Sequence, residues 1–237
     1  MNRVGDLVSY NDQLLSYNFA SAGATINASI IAPKVKDARS LVDQVAQFTS
    51  NMVPPPAYAP WYYNSTLFVI WSGNIDVILA WEDSDWSTLS QQLIASYWEQ
   101  VQILWNAGAR SFLFVAIPQI DQTPAMLKRS AADRAAMATA ISDFNALLND
   151  ETTALYNANC WSDQFPNYAA GSPCFAQVIV PGWSFILDDP TEYGAANASC
   201  INPDGVSCLW TDEWNPGQIL QDIITTYVGV DVGLYTS

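Results

Sequence analysis

Apolar residues recur along the chain in two rhythms. Short runs rich in aromatic and β-branched residues at 17–22, 67–71, 112–117 and 177–181 read as strands, and segments near 37–50, 87–107, 130–156 and 216–228 read as helices. In the second helix Leu89, Leu93, Ile94, Trp98, Val101, Leu104 and Trp105 share one face, and Gly108 stands where a helix-ending glycine belongs. The third opens on Ser130 with Asp133 three residues later, a capping-box arrangement, and repeats apolar positions at Met137, Ile141, Phe144 and Leu148. The runs 67–70 and 112–117 are continuously apolar, which predicts parallel strands covered on both faces. This β/α alternation predicts a doubly wound α/β domain over residues 1–237. Consecutive prolines at 54–56 make 53–63 a stiff, aromatic-rich loop.

Composition narrows the partners. Half of the residues are hydrophobic and 13% are charged, as in a packed globule. The formal charge of −15 repels phosphate backbones and anionic lipid, so neither nucleic acid nor a membrane surface is an expected partner. No apolar run reaches the roughly 20 residues of a membrane span, and residues 1–20 lack the basic-then-apolar order of a signal peptide, so any export signal is expected to have been removed. Cys160, Cys174, Cys200 and Cys208 lie in Gly-, Pro- and Asn-rich surroundings, and there is no histidine to complete a mixed zinc site. Two disulfides follow, read as 160–174 and 200–208 among three connectivities. Sequons at Asn27, Asn64 and Asn197 agree with passage through the secretory pathway.

Three segments in order carry a resemblance: Tyr17-Asn18-Phe19-Ala20-Ser21-Ala22-Gly23-Ala24-Thr25, then Phe68 to Asp76 through Trp71-Ser72-Gly73-Asn74-Ile75, then Trp210-Thr211-Asp212-Glu213-Trp214-Asn215-Pro216. They resemble the second, third and fifth blocks of SGNH/GDSL hydrolases, with fungal carbohydrate acetylesterases as the nearest kind. The resemblance implies an SGNH-type, flavodoxin-like three-layer α/β sandwich with a parallel sheet. It implies that Gly23 is an oxyanion donor and Asp212 the triad aspartate.

Other parts depart from the family. Its Gly-Asp-Ser nucleophile block has no counterpart, so the first strand is expected to be missing; Gly5-Asp6-Leu7 reads better as part of the following helix. Ile75 falls where the family has its oxyanion asparagine, with Asn74 as a substitute if the loop is redrawn. Asn215 occupies the histidine position, and an amide cannot take a proton from serine and return it. Asn215-Pro216 also reads as an N-cap and first helical residue. Glu82-Asp83-Ser84-Asp85 lacks the glycine-containing loop of a calcium site and reads as a solvated acidic turn, so no metal is expected.

These departures predict a pseudo-hydrolase whose former cleft binds a small aromatic ligand, similar to the pink chromoproteins of oyster mushrooms. Its predicted lining is Gly23, Trp71, Ser72, Asn74, Asp76, Asp212, Trp214 and Asn215, with no catalytic residue. Besides the small molecule, a retained N-terminal peptide is an expected partner. The alternative is an extracellular carbohydrate acetylesterase with its serine upstream. A third reading is a secreted structural or interaction protein.

Overall fold

A computed structural model describes residues 15–63, 65–159, 175–179 and 183–231. Three parallel strands, β1 (Leu67–Ile70), β2 (Ser111–Val115) and β3 (Phe175–Ile179), form a sheet in that order. Between and around them run α1 (Leu41–Met52), α2 (Asn74–Ala80), α3 (Trp86–Asn106), α4 (Pro124–Leu127), α5 (Ala131–Asn159), α6 (Ser184–Asp188) and α7 (Gln218–Asp231). Helix α3 packs against both α1 and α5, and α5 runs along β3. This is the mixed α/β architecture with a parallel sheet that the alternation predicts.

Local chemistry sets the helix ends. Ser40 accepts from the Asp43 amide at 3.3 Å while the Asp43 carboxylate accepts from the Ser40 amide at 2.9 Å, a full capping box for α1. Ser130 and Asp133 repeat the exchange at α5 (3.1 and 3.4 Å). Gly108 ends α3 at φ +113°, a conformation that few side chains tolerate. Met137, Ile141, Phe144 and Leu148 are buried, as are Leu93, Ile94, Val101 and Leu104.

Three expectations are corrected. The run 17–22 is not a strand: Asn18 Oδ1 accepts from the Ala20 amide at 2.8 Å and Ala24 N–H bonds back to the Ser21 carbonyl at 3.1 Å, so local turns take the backbone groups that a ladder needs. Strand β1 is not covered on both faces. Leu67 and Val69 are exposed, Val69 at 58%, because β1 is an edge strand among the described residues, while Phe112, Leu113 and Phe114 of central β2 are fully buried. Helix α7 starts at Gln218, so Asn215 does not cap it; Asn215 instead gives its carbonyl to the Thr211 amide at 2.9 Å.

Candidate active site

The turn after β1 is where the second and third blocks meet. Gly73 sits at φ +118° with the Phe144 ring 2.7 Å from where a Cβ would stand, so the chain turns tightly over α5 into α2. Asp76, one turn into α2, is fully buried, and both its oxygens accept from the Ile26 amide at 3.2 and 3.1 Å. Burial pushes its pKa up to about 7, against the lowering effect of the bonds from the Ile26 amide and its own. Asp76 therefore clamps the glycine-block loop to the first turn of α2. Gly23, three residues before Ile26, holds φ +75°, and a Cβ there would run into Val35. Thr25 Oγ1 and Asn74 Oδ1 are buried without a hydrogen-bond partner among the described residues. Trp71 stays 42% exposed, and Ser72 is half-buried beside it.

The fifth block is built differently. Asp212 Oδ1 accepts from the amides of Trp214 and Asn215, each at 2.8 Å, and Oδ2 accepts from Asn215 Nδ2 at 2.7 Å. Partial desolvation pushes this carboxyl up, but the bonds from the Asn215 side chain and the two amides outweigh it and hold it below its usual value. Both residues are exposed, and Trp214 packs partly on the core. The Ala125 amide donates to the Glu213 carbonyl at 3.1 Å and Lys128 pairs with the Glu213 carboxylate, so α4 holds this loop.

The predicted lining therefore splits in two. Asp76 is tied by the Ile26 amide to the loop that carries Gly23, with Asn74 in the same helical turn as Asp76, and Asp212, Trp214 and Asn215 form a second, separate unit. Trp71, Asp212 and Asn215 are exposed, and an open groove of about 280 Å³ lies between α5 and β3, beside Thr152, Tyr156 and Gln177.

Cys200 and Cys208 form a disulfide, whereas Cys160, Cys174, Asn64 and Gly5-Asp6-Leu7 lie outside the described residues. Asn27 donates its amide to Ser96 Oγ at 2.9 Å, and Asn197 is exposed. Glu82 pairs with Arg129, which also stacks over Trp81. No helix among the described residues is long and apolar enough to cross a membrane, and no metal-binding cluster is found among them.

Two braces of the site escaped sequence reasoning. Asn145 of α5 takes both the N–H and the C=O of Ile117 (2.9 and 2.8 Å), fixing the turn that leaves β2, and Gln119 Oε1 accepts from the Trp183 amide at 3.1 Å. Asn145 stands among other polar residues of α5, between Asp143 and Asn149, so the sequence does not set it apart.

A parallel sheet with a tight Gly-x-x-Asp turn after its edge strand and an Asp-x-x-Asn loop fits the SGNH class of α/β hydrolase. The chain belongs to the GDSL-like lipase/acylhydrolase family, whose profile matches residues 2–206. It is 40% identical to an acetylesterase from Thermothelomyces thermophilus over 222 residues, which is 92% of this chain and 70% of that protein. This likeness overturns the expectation of a non-catalytic pigment-type binder: it points to an enzyme, a hydrolase. That expectation rested on the missing Gly-Asp-Ser block and on Asn215, and the likeness over 92% of the chain outweighs them.

Proposed function

We propose that this protein hydrolyses acetyl esters carried on carbohydrate, outside the cell. The likeness to an acetylesterase over 92% of the chain carries the reading. The Cys200–Cys208 disulfide supports an oxidising, extracellular setting.

Ester hydrolysis needs an attacking oxygen, donors for the oxyanion, and a group that moves a proton to the leaving alkoxide. In this reading the Gly23 amide serves as a donor, the Asp76 clamp holds its loop in place, and the serine stands upstream of the described residues. The proton-moving group is the unusual part. The sequence contains no histidine, and Asn215 supplies only an amide donor to Asp212. Asp212, held below the ordinary carboxylate pKa, is ionised throughout the neutral range and is a weak base. Turnover is therefore slower than in a relative with histidine at this place.

The test is p-nitrophenyl acetate hydrolysis by the full-length secreted protein, with a fluorophosphonate probe in parallel. Saturable release of p-nitrophenol with one labelled serine is expected. A rate equal to that of an inert carrier protein, with no label, overturns the reading.

A further inference from the structure

Between Asp43 and Asp76 the sequence carries no charged residue, although the chain as a whole has a formal charge of −15. The stretch includes the loop that leads into β1, where burial alternates: Tyr58, Pro60 and Tyr62 face out while Ala59 and Trp61 face in. Tyr58 is 80% exposed and Tyr62 61%. The loop is also anchored. Trp61 donates its indole N–H to the Met52 carbonyl at 2.7 Å, and its ring packs 5.4 Å from that of Phe48 and 5.6 Å from that of Phe68. Pro54, Pro55 and Pro56 stiffen the approach, and the Ala59 amide closes a turn on the Pro56 carbonyl at 3.0 Å.

We propose that Tyr58 and Tyr62, with the Pro60 ring between them, form a stacking platform for a neutral polysaccharide. Tyrosines held on an anchored backbone offer flat apolar faces with polar tips at small entropic cost, which matches sugar rings that are apolar on one face and hydroxylated at the rim. An acidic protein repels anionic polymers, and a segment with no charge of its own favours a neutral one. The loop enters β1 at its N-terminal end, whereas Ser72 to Asp76 follow its C-terminal end, so the platform lies at the opposite side of the sheet from the candidate active site. It would hold a polymer chain without entering the chemistry.

Only the naming of an ester-bearing carbohydrate rests on the proposed function. The test is native affinity electrophoresis of the secreted protein in gels containing soluble arabinoxylan, with polygalacturonate as the anionic control, and light scattering alongside. Arabinoxylan should retard the protein and polygalacturonate should not. Tyr58→Ala with Tyr62→Ala should weaken retardation about tenfold, while Tyr58→Phe with Tyr62→Phe keeps it and p-nitrophenyl acetate turnover is unchanged in both. No retardation of the parent protein, or equal retardation of the double alanine variant, overturns the proposal. So does a dimer that the alanine variant converts to monomer. Loss of the esterase reading alone would show as absent turnover with retardation intact.

Discussion

Asp76 stands inside the molecule with both oxygens on one backbone amide, while Asp212 stands on an exposed loop with three donors converging on it. Desolvation is the leading influence on both, yet it wins only at Asp76, where burial is complete and only the Ile26 amide and its own amide answer it. At Asp212, open to water, the hydrogen bonds win. The two blocks thus use one residue type for unlike purposes: a clamp that is half-protonated near neutrality, and a permanently ionised group at the place where chemistry is expected.

Changing the loop side should have the largest effect. Asn215→His replaces an amide by a base on Asp212, and kcat for p-nitrophenyl acetate should rise by about 10² to 10⁴ above pH 7, with a new titration near the histidine pKa. A flat pH profile and unchanged rate would mean that Asp212 does not orient a proton carrier here.

On the buried side the readout is stability. The folded pKa of about 7 lies above the unfolded value of 3.8, so Asp76 costs nothing below pH 3.8, and its penalty grows as pH rises through 7, reaching about 4 kcal/mol. Urea unfolding of Asp76→Asn should gain on the parent protein by roughly that amount between pH 4 and pH 8. A pH-independent difference between the two proteins would show that Asp76 is not a buried acid.

Smaller effects sharpen the boundary between the two regions. Replacing Cys200 and Cys208 by serine opens a short loop and should lower stability by about 2.5 kcal/mol, with the pH response of Asp76 left intact. Removing the α1 cap with Ser40→Ala should cost about 1 kcal/mol by the same assay. Peptide mapping of the protein expressed through a eukaryotic secretory pathway should find glycan on Asn197 and none on Asn27, whose amide is committed to Ser96.

Much of the fold was legible because single physical signals dominate it. Helices α3 and α5 show in apolar periodicity and in Ser130, Asp133 and Gly108, and β2 shows in an unbroken apolar run, although the similar run of β1 belongs to an edge strand with Leu67 and Val69 exposed. The 17–22 run misled because Phe19 and Tyr17 suit a strand while Asn18 and Ser21 spend the backbone on turns, a competition that apolar content does not reveal. Of the site, the family resemblance marked Gly23, Asp76 and Asp212, but a resemblance is silent on burial, and burial is what separates the two aspartates. Asn215 was legible as a departure and misread as a cap, since its nearest acceptor is a carboxylate three residues back.

The hold of α4 on Glu213 has a consequence for how the molecule breathes. The Ala125 amide ends on the Glu213 carbonyl, so its proton is freed only when 211–216 swings away from α4, whereas the Thr211 amide, on the Asn215 carbonyl, is closed within the segment itself. Deuterium should enter at Ala125 with an opening free energy well below that of Phe112 to Phe114 in β2. Mild heating would then loosen Asp212 before the sheet parts, and function would fade while the fold still stands.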